Sequence, residues 1–127
     1  ASDHDIYARV VSGGGGLNPI VGVETEALNQ TQPAIAGNEK SHIFLATWTQ
    51  PYPGMVNQGI YARPLSTSGA AAGQAEFIGG LFAANSAVSS GLMGDFLVAY
   101  DDTPFFGNTD IWARFWGYRQ YLPMVVH

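Results

Sequence analysis

One four-residue string recurs three times along the chain and limits what the chain can fold into. Ile-Tyr-Ala-Arg occupies residues 6–9 and 60–63, and Ile-Trp-Ala-Arg occupies residues 111–114. The copies start 54 and 51 residues apart. A repeat of near-constant period indicates that one structural unit is built several times, so it decides the architecture before any single motif does.

Further segments align at the same spacing. FLATWTQ at 44–50 matches FLVAYDD at 96–102, and PAIA at 33–36 matches SAVS at 86–89. VGVET, from residue 21, stands where EFIGG stands from residue 76. The similarity therefore extends through most of each unit and is not confined to the Ile-Tyr-Ala-Arg string.

Each matched segment has the pattern of a β-strand. The segments are short, rich in β-branched or aromatic residues, and bounded by Gly, Pro, Asn or Ser. No stretch of the chain keeps the 3.6-residue apolar period of a helix, so helices are expected to be absent or of one turn. The complete unit is predicted to contain four strands, near residues 33–36, 42–50, 59–66 and 75–79.

This order of segments resembles the blade repeat of secreted bacterial β-propellers, in which an alanine-rich inner strand precedes a Trp-ending strand and then an IYAR strand. The resemblance covers residues 5 to about 115. It implies an all-β fold of four-stranded blades, each of about 50 residues, and a binding or scaffolding role without a reaction. The units are roughly 5–32 (partial), 33–80 (complete) and 85–127 (most of one).

The number of units is too small for a closed propeller, which needs about four to eight blades. Three outcomes are therefore open. Several chains associate, or the chain is a piece of a longer propeller, or the strands form a self-contained two-sheet β-sandwich. The first two are favoured.

The arginine of each string is predicted to be structural. Side chains alternate between the faces of a strand, so Tyr61 and Arg63 share a face opposite to Ile60 and Ala62. Between packed sheets, an arginine can lay its stem on an aromatic ring and direct its guanidinium to a carboxylate. We call the three residues in this position the arginine clamps: Arg9, Arg63 and Arg114.

The C-terminal segment is predicted to pack against something. Residues 115–127 are rich in aromatic and aliphatic side chains and carry one formal charge, Arg119. Such a segment is either the last strand of its own unit or an addition to the sheet edge of a neighbouring subunit. The residues expected to make that assembly contact are Trp116, Tyr118, Tyr121 and Leu122.

Two connections at equivalent places, residues 50–58 and 102–110, are candidate ligand sites. Aromatic rings beside oxygen acceptors suit a sugar ring. The candidate sugar-binding residues are Tyr52, Asn57, Asp101, Asp102, Phe105 and Phe106. Calcium is a weaker candidate, since Asp101, Asp102, Asn108 and Asp110 supply oxygen ligands and Asp3 and Asp5 flank the matching N-terminal place, without EF-hand spacing.

Composition limits the classes of partner that the chain is expected to bind. The net charge is −5 with a single lysine, so no basic patch exists for nucleic acid or anionic lipid. No apolar run approaches the ~20 residues of a membrane helix, so membrane insertion is not expected. The chain lacks cysteine and any catalytic signature, so neither an enzyme nor a resident cofactor is expected. Its composition favours a secreted or cell-surface protein. From the incomplete repeats, the expected partners are copies of itself or other protein subunits, and from the aromatic connections, glycans.

Overall fold

The computed structural model describes residues 3–103 and 107–117, and this part of the chain is all β-structure. Nine strands form three antiparallel sheets, and no helix occurs among the described residues. The strands are β1 (Ile6–Ala8), β2 (Val21–Glu24), β3 (Thr31–Asn38), β4 (Ile43–Pro51), β5 (Gln58–Ser66), β6 (Glu76–Gly79), β7 (Ala83–Ser90), β8 (Phe96–Asp102) and β9 (Asp110–Trp116).

The sheets follow the repeat. The first sheet is the pair β1-β2, the middle sheet has the order β3-β4-β5-β6, and the third sheet has the order β7-β8-β9. All four strands predicted for the complete unit are present. The inner strand is longer than predicted, Thr31–Asn38 in place of 33–36, because the chain pairs with β4 on both sides of a β-bulge.

The pairing register repeats along with the sequence. Ala34 lies opposite Thr47 in the middle sheet, and Ala87 lies opposite Ala99 in the third. Both inner strands carry a register shift at the same point, between Thr31 and Ala34 and between Ala84 and Ala87. The β-bulge is therefore part of the repeated unit.

The apolar core forms two layers, one on each face of the middle sheet. The sheets stack in chain order. We call the side of each sheet that points in the direction from the first sheet to the third its forward face, and the opposite side its back face. The forward face of the middle sheet packs on the third sheet, and its back face packs on the first sheet. The forward layer contains Leu45, Ile60, Ile78, Phe96, Val98 and Trp116, and the back layer contains Ile6, Val23, Ala46, Trp48 and Leu65.

Trp48 lies where the alternation in β4 predicts. Its side chain is 0% exposed in the back layer, and its ring stacks on that of Tyr61 with centroids 6.5 Å apart. The indole N–H donates to Gln50 Oε1 at 3.0 Å, so its polar atom is satisfied. The alternation of FLATW puts Phe44, Ala46 and Trp48 on one face of the strand and predicts that Trp48 is mostly buried, which the structure confirms.

Candidate functional site

Two arginine clamps connect neighbouring sheets through backbone carbonyls. Arg63 Nη1 donates to the carbonyl of Val23 in the first sheet, and Arg114 Nη1 donates to that of Ile78 in the middle sheet. Val23 and Ile78 hold the same place in β2 and β6, the third residue of each strand. The guanidinium thus reaches a carbonyl of the preceding sheet, where the sequence suggested a carboxylate.

Arg9 makes a different contact. Its side chain is exposed, and Nε donates at 2.7 Å to the carbonyl of Asn18, in the connection that follows β1. No described sheet lies behind β1, so the carbonyl that serves Arg63 and Arg114 has no counterpart for Arg9 in the described part of the chain.

The predicted sugar-binding residues Tyr52 and Asp102 are brought to one short segment, the link between β6 and β7. The Tyr52 hydroxyl donates to the Gly80 carbonyl, and its ring lies 5.9 Å from that of Phe77. Desolvation, with smaller contributions from Tyr61, Asp102 and Tyr100, raises the pKa of Tyr52. Asp102 is buried and accepts backbone N–H bonds from Leu81 and Phe82, the latter at 2.8 Å.

The remaining members of that predicted set are partly engaged or outside the description. Asp101 accepts a bond from Asn85 Nδ2 at 2.8 Å, and the backbone carbonyl of the half-buried Asn57 accepts one from the backbone N–H of Tyr52 at 2.9 Å. Phe105 and Phe106 lie outside the described residues. Both described carboxylates therefore take part in holding the fold, and binding of a sugar stays a prediction.

The candidate calcium ligands do not form a cluster in the described chain. Across residues 3–103 and 107–117, no three His, Asp or Glu side chains are grouped so as to hold a metal ion. Asp5 accepts a bond from the Tyr7 hydroxyl at 3.3 Å.

Of the four predicted assembly residues, the structure describes only Trp116. It ends β9 and is buried against Phe96, with ring centroids 6.1 Å apart and the rings at 61°. Its indole N–H donates to Glu76 Oε2 at 2.7 Å. Trp116 is thus a core residue of the chain's own fold, while Tyr118, Tyr121 and Leu122 lie outside the described residues.

The forward face of the third sheet is an apolar surface that the sequence reasoning missed. Cross-strand pairs place Leu97 beside Phe115 and Ala99 beside Ala113 on this face. Ile111 is 77% exposed, whereas Ile60, at the same point of the repeat, is 0% exposed. Leu97 and its counterpart Leu45 are 38% and 0% exposed. Aligning the repeats would have located these positions, because the two copies carry the same residue types there.

A groove of about 380 Å³ opens between β1 and the inner strands of the middle sheet. It adjoins the back layer of the core, with which it shares Phe44 and Leu65. Its lining is apolar apart from one guanidinium, and consists of Ala8, Arg9, Val10, Val11, Ile35, Ala36, Gly37, Phe44, Leu65 and Gly69.

Comparisons of the chain with family models, with curated proteins and with solved structures find no match. The fold and its surfaces therefore define the class, an all-β protein of nine described strands in three antiparallel sheets. In that described part, no helix has the length and apolar character needed to cross a membrane.

Proposed function

We propose that this chain is an extracellular structural or interaction module, built from propeller-type repeats, that assembles with other subunits through its sheet faces. The observation that carries the proposal is the contrast between Ile60, 0% exposed, and Ile111, 77% exposed, at equivalent positions. The forward face of the middle sheet is covered by the third sheet, whereas no described part of the chain covers the equivalent face of the third sheet.

The open face is chemically suited to being covered. Leu97, Ile111 and Phe115 are all exposed on one side of the third sheet, as their register requires. Fully burying one such side chain stabilises by about 1.5–3 kcal/mol. Contiguous apolar patches on soluble proteins mark interaction sites, whereas scattered apolar residues do not.

The opposite end of the chain offers a complementary surface. Tyr7, Arg9 and Val11 occupy the places of Tyr61, Arg63 and Leu65, and all three are exposed. Their counterparts in the middle sheet face the first sheet, so the same side chains make a sheet-to-sheet contact inside the chain. A second copy can repeat this contact head to tail, an association that gives rings when it closes and filaments when it does not.

The molar mass in solution, measured by light scattering over a range of concentrations, tests the proposal. We expect a mass above that of the 13.5 kDa chain and a return toward the monomer in Ile111→Asp. Leu92→Asp is the matched control, because Leu92 is also exposed but lies in the β7–β8 turn. A monomer at all concentrations, or equal effects of the two substitutions, would overturn the proposal.

The competing prediction of a carbohydrate-binding module leads to a different result. It expects a monomer that binds sugars on a glycan array and loses that binding in Tyr52→Ala. An assembled protein without glycan affinity would leave the scaffold role standing.

A further inference from the structure

We infer that the groove beside β1 is the binding site of a β-hairpin with the repeat pattern of β3–β4. The hairpin pairs with the free edge of β1. The hairpin belongs to a neighbouring repeat of the same kind. The inference rests on the proposed function, since it names the partner that one sheet surface of the module takes.

The first observation is an open sheet edge. β5, the counterpart of β1, pairs with β4 on one side and β6 on the other. In the described part of the chain, β1 pairs with β2 alone. The unpaired side of β1 corresponds to the side of β5 at which Thr47 lies opposite Ala62. Backbone N–H and C=O groups on such an edge favour the addition of a strand.

The second observation is an apolar groove that no described strand fills. Inside the chain, the β3–β4 hairpin packs its forward face on the back face of β7–β8, where Phe96 and Val98 are both 0% exposed. In β3–β4, Phe44 and Ala46 hold the back-face positions equivalent to Phe96 and Val98. Ile35 lies opposite Ala46 on this face and is 54% exposed. Ile35 and Phe44 line the groove. The groove is therefore the place where a hairpin like β3–β4 would pack if the stacking of sheets continued backwards.

The third observation is continuity with a contact already made. The first sheet covers the outer part of the back face of the middle sheet through Ile6 and Val23. The groove begins where that cover ends, at Ala8 and Leu65. A hairpin paired to β1 would extend the same layer over Ile35, and its backbone groups would be satisfied by the edge of β1.

The hairpin that fits the groove is identified by the pattern of apolar side chains on its forward face. The strands of β3–β4 bring Ala36, Ile43 and Leu45 to the forward face, which are small and aliphatic side chains. The groove is lined by side chains of the same character, so apolar surface would meet apolar surface. A polar ligand would find Arg9 as the one charged side chain among the lining residues.

The test uses a synthetic peptide of residues 31–51 added to the full chain that carries Ile111→Asp. This background keeps association through the third sheet out of the measurement, so the inference and the proposed function can fail separately. We expect saturable one-to-one binding by calorimetry and slower hydrogen exchange at the β1 amides whose N–H groups point away from β2. Adding Ile35→Asp should weaken binding at least tenfold, while adding Val56→Asp, at an exposed loop position, should not.

Four outcomes would overturn the inference. They are no binding, equal binding by the Ile35→Asp protein, slower exchange along β9 with β1 unchanged, and equal binding by a peptide of residues 117–127. The last result would show that the C-terminal segment of a second copy is the occupant. The exchange measurement needs no groove substitution, so it decides the matter even if Ile35→Asp impairs folding.

Discussion

Gln32 and Asn85, which hold the same position in successive repeats, are joined by a hydrogen bond. The backbone N–H of Asn85 donates to Gln32 Oε1 at 2.9 Å. Both residues are left-handed, with φ of 54° and 55°, at the bulge of their inner strands. Gln32 Oε1 also accepts from Thr49 Oγ1 at 3.0 Å, so one amide ties two strands of the middle sheet to the third sheet.

Trp48→Ala should lower the free energy of unfolding by about 3–5 kcal/mol, because it empties a fully buried site. Trp112→Ala is the control, since that ring is half exposed, and about 1 kcal/mol is expected. Urea unfolding followed by circular dichroism measures both. Equal losses would mean that Trp48 does not anchor the back layer.

Arg63→Lys should cost about 1–3 kcal/mol, because a lysine keeps the charge but cannot reach the carbonyls of Val23 and Gly73 together. Arg9→Lys should change stability by less than about 0.5 kcal/mol, since Arg9 is exposed and its contact is local. Denaturant titrations of both variants provide the comparison. If Arg63→Lys proves as mild as Arg9→Lys, the bond to the first sheet adds little.

His42 and Gly94 occupy the same left-handed position of the first hairpin in their units, with φ of 56° and 88°. Left-handed φ costs a residue with a Cβ roughly 1–2 kcal/mol, and the extra backbone freedom of Gly costs about 0.5–1 kcal/mol. His42→Gly should therefore stabilise the protein slightly, and Gly94→Ala should destabilise it by about 1 kcal/mol. Thermal unfolding gives the sign of each change. A loss in His42→Gly would contradict the assignment of strain.

Gly79→Ala should be destabilising by about 1–3 kcal/mol. A Cβ on Gly79 would overlap the Tyr100 hydroxyl and lie 3.1 Å from Tyr100 Cζ, in the forward layer. Tyr100→Phe in the Gly79→Ala background should restore part of the loss, because it removes the overlapping oxygen. A double-mutant cycle measures the coupling, and strictly additive effects would place the cost elsewhere.

Stability should fall as the pH rises above 10.0. The pKa values of Tyr52, Tyr61 and Tyr100 are raised from 10.0, in each case chiefly by burial. The folded state then binds these protons more tightly than the unfolded state. The contribution is complete below the unfolded pKa and is lost as the pH rises through the folded pKa. Denaturant unfolding at neutral and alkaline pH should show this slope, and Tyr100→Phe should reduce it.

The sequence predicted the strands well because two independent signals agreed. The β4 alternation predicted the buried side of Trp48, and the repeat predicted four strands in the complete unit. The bulge at Gln32 was not predicted, since glutamine gives no signal for a left-handed backbone as Asn or Gly would. The partners of Arg63 and Arg114 were also missed. Their acceptors are backbone carbonyls, which carry no mark in a sequence.

The candidate surfaces were harder to find than the strands. Ile60 and Ile111 are the same residue in the same string, yet one is enclosed and the other is open. Burial of a repeated side chain depends on whether another sheet lies next to it, and residue type does not encode that. Alignment of the repeat identifies the position, but only the stacking of the sheets shows whether the side chain there is buried or exposed.

The two bonds from Arg63 and Arg114 both run backwards along the chain, from a sheet to the one before it. A series of sheets joined in this way has polarity, because each guanidinium lies on the later sheet and the carbonyl that accepts from it lies on the earlier one. Subunits added at the two ends would meet different chemistry. In a head-to-tail stack of the kind proposed, growth rates at the two ends should therefore differ.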